Sequence, residues 1–276
     1  MQRIFVDSRD SVSGDNEEFT ISIPTTIVIP FESFAVIDTV MIPTSSYTIN
    51  EGNKTIFWVG RNSAGVDTYH AKSMLTGFYT PETLALEWQQ VLNSNPQKAV
   101  TPFYIISFLE RTGKFVIECP IVDAQESFAF FTTQWLNDTD LIPFYGNVNK
   151  DLLQHAGRPL GLTKGQPVEG RLDHPSVPCP QSANLQPYSQ MFIRGDVGVP
   201  FASFGPRGAG NILRRVVITA PSNSMNYDAA ATHYDNIVVA PGSYSNFSFK
   251  LTSWDGKKVD LNGVPWSFSC TIFPRD

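Results

Sequence analysis

Apolar and polar positions alternate most cleanly near the end of the chain. Phe247, Phe249 and Leu251 are interleaved with Ser248, Lys250 and Thr252, and Trp266, Phe268, Cys270 and Ile272 with Ser267, Ser269 and Thr271. A period of two sends alternate side chains to opposite faces, so both segments are predicted as strands with one buried face. Asp255-Gly256 and Asn262-Gly263 lie between them as turn dipeptides, since glycine accepts a positive φ that other residues resist. Strands completed this late must pair with strands made much earlier. Greek-key and jelly-roll sandwiches are wound in that way.

Most other periodic segments also read as strands: Phe19–Ile23, Thr55–Val59, a weaker His70–Leu75, Ser127–Phe131, Gln190–Arg194, Ile212–Thr219 and Asn236–Val239. Phe34–Ile42 is apolar at nearly every position and is expected to be covered on both faces. Phe103–Leu109 and Lys114–Cys119 form a hairpin through Arg111-Thr112-Gly113. One segment has the helical period instead. Thr80 is a good N-cap, Pro81 suits the first helical position, and Leu84, Trp88, Val91 and Leu92 fall on one face, with Trp88 expected to anchor the helix on a sheet.

From Pro143 to Pro187 the periodicity fades among seven prolines and five glycines. Proline removes ladder donors, so residues 143–187 are expected to be a long ordered loop, arm or small insertion rather than sheet. A structureless loop of that length needs burial from somewhere, and wrapping a neighbouring subunit would supply it. The expected fold is all-β: a jelly-roll (Greek-key) sandwich in a single domain over residues 1–276, with one short helix and this loop or insertion.

Composition narrows the function. Aromatic residues make up 12 % of the 276 residues and charged ones only 17 %. That balance fits a large core, and equally a surface covered by neighbours. The net charge is −6 and no basic arm exists to neutralise phosphates, so no specific nucleic-acid binding is expected. Cys119, Cys179 and Cys270 are odd in number and widely spaced, which suggests free thiols in a reducing compartment. Met1–Asp7 lacks the pattern of a signal peptide, and no apolar run approaches the ~18 residues of a membrane span. The sequons at Asn53, Asn137 and Asn246 are therefore read as chance matches.

The two ends also carry a family resemblance. Arg3–Arg9 reads RIFVDSR and is followed by an acidic loop and the Phe19–Ile23 strand; the closing segment runs Asp-Gly, Val-Asp-Leu-Asn-Gly, Trp-Ser-Phe. Ile42-Pro43, Gly77-Phe78-Tyr79-Thr80 and Thr112-Gly113-Lys114 fall in order between them. This set is similar to the penton or minor capsid proteins of virophages and Polinton-like double-stranded DNA viruses. The resemblance is weakest from about Asn147 to Asn184. It implies a jelly-roll virion protein that forms a homopentamer at the five-fold vertices of an icosahedral shell. It also implies contacts with the major capsid protein and assembly inside the host cell.

Candidate chemistry is sparse. His70, His155, His174 and His233 are dispersed, and Asn137-Asp138-Thr139-Asp140 lacks the glycine and distal glutamate of a calcium loop, so no metal or other cofactor is expected. Gly205–Gly210 is glycine-rich, but no Gly-Lys-Ser/Thr follows, and no nucleophile elbow is present. Enzyme activity is not expected. Trp58, Trp88 and Trp266 are in phase with buried faces, whereas Trp135 and Trp254 lie beside polar turns and suit a surface or interface. Arg194-Gly195-Asp196 is the integrin-recognition tripeptide. Its apolar flanks, Met191–Ile193 and Val197–Val199, favour a structural turn at a strand end over a mobile attachment tip. Two alternatives to a penton remain open: a minor or cement capsid protein at other shell positions, and a jelly-roll attachment or lectin module.

Overall fold

The computed structural model describes residues 1–94, 104–121, 124–138, 155–197, 210–229 and 235–274. In chain order the elements are β1 (Gln2–Asp7), β2 (Ser11–Gly14), β3 (Glu18–Ile29), β4 (Ser33–Pro43), β5 (Thr55–Arg61), β6 (Asp67–Ser73), α1 (Pro81–Asn93), β7 (Ile105–Leu109), β8 (Lys114–Glu118) and β9 (Ser127–Phe130). There follow α2 (Thr133–Asp138), α3 (Gly157–Leu160), β10 (Val168–Gly170), β11 (Ser176–Pro178), β12 (Gln190–Gly195), β13 (Ile212–Val217), β14 (Met225–Asp228), β15 (Ile237–Val239), β16 (Gly242–Thr252) and β17 (Ser267–Pro274).

The chain divides into two compact units, Met1–Ser46 with Tyr188–Asp276, and Tyr47–Pro187. This differs from the expected single domain with an insertion at 143–187. Among the described residues the strands from β5 to β11 pair with one another and with no strand of the first unit, so the excursion begins nearly a hundred residues before Pro143.

In the first unit one sheet has the order β1-β17-β4-β14, with β15 also on β4, and the other the order β13-β12-β16-β3-β2. All these pairings are antiparallel. Set β2 and β15 aside as short additions. The remaining strands, numbered along the chain, then lie 1-8-3-6 in one sheet and 2-7-4-5 in the other. That is the double Greek key of a jelly roll. The late strands behave as the alternation requires: β16 pairs with β3, and β17 lies between β1 and β4. Phe247, Phe249 and Leu251 from one sheet meet Trp266, Phe268, Cys270 and Ile272 from the other in one core. The turn before β17 uses left-handed backbone at Asn262 (φ 53°) and Gly263 (φ 73°). It is tied back to the end of β4, where Ser45 Oγ donates to the Leu261 carbonyl at 2.6 Å.

β4 departs from expectation. Ala35, Ile37, Val40 and Ile42 are buried, but Phe34 and Val36 are half-buried and Met41 is exposed. Among the described residues of this unit no layer covers the outer face of the strand, which leaves Met41 exposed and Phe34 and Val36 half-buried.

The second unit has a four-stranded sheet, β10-β9-β5-β6, and a three-stranded one, β11-β8-β7. Thr80 caps α1, exchanging hydrogen bonds with Thr83 as a capping box. Trp88 is fully buried, its ring edge-on to Phe115 of β8 and Phe130 of β9, each 5.7 Å away. The described part of 143–187 is not the sheetless arm expected. β10 pairs with β9 and β11 with β8, while Ala156, Leu160, Leu162, Val168 and Cys179 are buried in this unit's core. Its prolines sit where they cost no ladder bond. Pro178 ends β11, and Pro175 supplies a carbonyl to Cys119 N–H at 3.0 Å. Residues 143–154 lie outside the described residues.

Candidate assembly and attachment surfaces

Arg194, Gly195 and Asp196 lie at the end of β12, against the central strand β16. Arg194 Nε donates to Thr252 Oγ1 at 2.9 Å, and its Nη1 donates to the Gly210 carbonyl at 3.1 Å. Burial moves the guanidinium pKa below its ordinary value. Gly195 N–H donates to the Asn211 carbonyl at 3.2 Å. A Cβ at Gly195 would stand 2.7 Å from Leu213 Cδ1 and 3.0 Å from the Ser248 carbonyl oxygen. Asp196 is exposed, yet Ser248 clamps it from two sides: the Ser248 N–H donates to Oδ1 at 3.1 Å, and the Asp196 N–H donates to the Ser248 carbonyl at 3.3 Å. The tripeptide thus borders an open depression of about 520 Å3 on the outer face of its sheet, beside Thr20 and Lys250. Neither charged group extends freely from a loop tip.

The two outer faces of the jelly roll differ in character. Around the β3–β16 pair the outward side chains include polar pairs, Lys250 with Glu18 at 2.9 Å and Thr20 with Ser248 at 3.1 Å, while Val12, Val28 and Val217 are the exposed apolar groups of that sheet. On the opposite sheet Phe5 is 75 % exposed, and Met41, Met225, Tyr227 and Val238 are exposed as well. Register places Tyr227 directly opposite Met41, and Val238 opposite Phe34. Between these apolar groups the Asp38 carboxylate is ion-paired. Asp38 accepts from Arg3 Nη2 at 2.8 Å and from Thr271 at 3.4 Å, with Ser269 as a further donor. Phe5, Met41 and Ser269 line a shallow hollow of about 270 Å3 there. Periodicity alone did not reveal this face, because a mixed outer row of phenylalanine, methionine, serine and threonine has no sequence signature of its own.

The remaining sequence candidates are scattered by the fold. His70 stacks on Trp58 at 4.8 Å, His155 is buried, His174 is exposed, and His233 lies outside the described residues. Among the described residues no group of three or more His, Cys, Asp or Glu side chains is placed to hold a metal ion. Asn137 and Asp138 end α2, whereas Thr139 and Asp140 lie outside the described residues. Residues 205–209 of the glycine-rich segment also lie outside them, and Gly210 serves Arg194 as an acceptor. Trp58, Trp88 and Trp266 are buried, Trp254 is 48 % exposed, and Trp135 lies flat on Phe131 with ring centroids 4.4 Å apart. All three cysteines are free and buried. No described helix is long and apolar enough to cross a membrane.

These observations define an all-β jelly-roll protein in which a second compact unit interrupts the sandwich after its third principal strand. The same fold is found in the penton protein of mavirus: the two are 10 % identical, the match covers 99 % of each chain, and the TM-score is 0.54. A chain in the structure of the Sputnik virophage is 11 % identical, with 99 % of this chain and 97 % of that one covered and a TM-score of 0.48. No family model matches the sequence, and no curated protein does.

Proposed function

We propose that this chain is a structural virion protein, a penton-type capsid subunit. It assembles as a homopentamer at icosahedral five-fold vertices and contacts the major capsid protein. The observation that carries the reading is the likeness of fold to the mavirus penton protein over 99 % of both chains, so that it includes both units. The asymmetry of the jelly roll supports it. One outer face carries the Lys250–Glu18 pair with scattered exposed valines, while the other exposes the larger Phe5, Met41 and Tyr227 around the Asp38–Arg3 pair. A cyclic assembly repeats one heterologous interface, which needs two unlike surfaces on each subunit. Burying exposed phenylalanine, methionine and tyrosine supplies the association energy, because such side chains dominate interface cores. In this reading the protein's mechanism is assembly rather than catalysis, and its place is the virion.

Mass determination of the purified protein in solution tests the reading. A five-subunit particle is expected, and Phe5→Asp with Met41→Asp is expected to dissociate it without lowering the melting temperature of the monomer. A protein that stays monomeric at every concentration, and that does not join purified major capsid protein in reassembly, would refute the vertex role.

A further inference from the structure

The second unit carries a polar depression that the assembly reading does not use. It has a volume of about 610 Å3 and lies on the sheet β10-β9-β5-β6. Trp58, Phe128 and Phe130 of that sheet face the unit's core, so Val59, Ser127 and Ala129, one position out of phase, form the floor of the hollow on the opposite face. The floor strands β5 and β9 are the two central strands, and small side chains at 127 and 129 keep it open.

Two ion pairs flank the hollow. Arg61 grips Asp67 as a fork, with Nε to Oδ1 at 2.7 Å and Nη2 to Oδ2 at 3.0 Å. Arg171 Nη2 donates to Glu169 Oε2 at 2.8 Å. All four side chains remain substantially exposed, so further donors and acceptors are available at the rim. Val59 also belongs to an apolar cluster on the same face. There Trp135 and Tyr69 both stack on Phe131, with planes 4° and 14° from parallel.

We propose that this depression binds a neutral oligosaccharide. A sugar ring has a rim of hydroxyls, each both donor and acceptor, and an apolar C–H face. Carboxylates accept from such hydroxyls and guanidinium groups donate to them, both as charge-assisted bonds. The apolar floor at Val59 and Ala129 suits the C–H face. The volume falls within the roughly 300–1,000 Å3 of small-ligand sites. Charge argues against a polyanion: Asp67, Glu126 and Glu169 stand against only Arg61 and Arg171. Topology argues against an extended peptide. β5 and β9 are paired on both sides, which leaves no open backbone ladder beneath the hollow.

An array of neutral, sialylated and sulfated oligosaccharides, probed with the intact protein, tests the proposal. Retention of a subset of the neutral glycans is expected. Ala129→Leu fills the floor without changing charge, and Glu169→Gln alters one exposed rim carboxylate. Each is expected to weaken the retained glycan by about tenfold, the loss of one good polar contact or its equivalent. Melting temperature and solution mass should not change. Retention of no neutral glycan, preference for the sulfated ones, or undiminished binding by Glu169→Gln or by a folded Ala129→Leu would overturn the proposal. The assembly reading is judged by solution mass and by reassembly with major capsid protein, neither of which measures glycan binding, so the two fail separately.

Discussion

Arg214 of β13 reaches through the sandwich to Asp228 of β14 in the opposite sheet, Nη2 to Oδ1 at 2.8 Å, with only 4 % and 17 % of the two side chains exposed. A second guanidinium nitrogen, Nη1, donates to the Ile37 carbonyl on β4. One side chain therefore joins three strands from two sheets. Regular pairing from Gln190–Val217 to Ile193–Arg214 keeps Arg214 in phase with buried Val216 and opposite core residue Ile193, so its side chain points inward. A planar fork can serve two acceptors at once, which a lysine ammonium at the end of its stem does less well.

Breaking this pair from one side should be costly. Arg214→Met leaves a mostly buried carboxylate without its cation, and a loss of about 3 kcal/mol is expected in urea unfolding. Arg214→Met combined with Asp228→Leu should recover much of that, because the desolvated charge is removed along with its partner. A single variant as stable as the parent would show that the pair is not a tie between the sheets.

Trp266 is 2 % exposed and packs against Phe19 at 5.6 Å and Phe268 at 5.3 Å, while its indole N–H donates to the Asn16 carbonyl at 2.6 Å. Trp266→Ala is expected to cost about 3–5 kcal/mol. Trp266→Phe keeps most of the packing and should cost less, chiefly through the unpaired carbonyl, about 1–3 kcal/mol. Thermal and denaturant melts of both variants check the order. A loss below about 1 kcal/mol for the alanine variant would contradict the phase of the last strand.

Much of the jelly roll was legible because its strands have one wet face. In β16 the inward Phe247, Phe249 and Leu251 alternate with exposed Ser248 and half-buried Lys250, so period and burial coincide; in β17 the period holds, although Ser269 and Thr271 on the outer side are buried as well. α1 was legible from Thr80 and Pro81, which fix its start by local chemistry alone. The boundary of the second unit was not. It depends on which strands pair, and the β5–β9 register joins Trp58 to Phe130 across seventy residues that carry no local mark of partnership. β10 and β11 are three residues each, too short for any period to show. β14 was missed for the same reason. Of the candidate sites, the tripeptide at Arg194 was visible as a string, but the clamp by Ser248 was not, since it comes from a strand fifty residues away.

Acid should loosen the second unit through His155. The ring is buried 5.7 Å from Phe57, with Nδ1 2.7 Å from Thr133 Oγ1. Burial pushes its pKa down from 6.5 to about 4, partly offset by the Phe131 backbone. The unfolded chain takes up its proton near 6.5, the native chain only near 4, so the unfolded state binds more protons throughout that window. Stability is complete above about pH 6.5 and falls as pH drops, by about 2 kcal/mol at pH 5 and about 3 kcal/mol once pH is below 4. Hydrogen exchange at β5 and α1 between pH 6.5 and 5 should report the loss, and His155→Gln should flatten it. An equal pH slope in that variant would assign the effect to other groups.

The Arg194-Gly195-Asp196 corner should act as a structural element. Gly195→Ala puts a methyl group against Leu213 and the Ser248 carbonyl, contacts a packed strand end cannot widen cheaply, and is expected to cost about 1–3 kcal/mol. Asp196→Glu lengthens the side chain past the Ser248 N–H that now holds Oδ1, so a loss of about 0.5–1.5 kcal/mol is expected, the worth of that hydrogen bond. Integrin recognition does not tolerate glutamate for aspartate, which makes this variant discriminating. Cell binding by the assembled particle should be the same for the parent and Asp196→Glu, while the melting temperature falls slightly. The opposite pattern, attachment lost with the melting temperature unchanged, would mean that the exposed Asp196 is released from Ser248 to meet a receptor's metal ion.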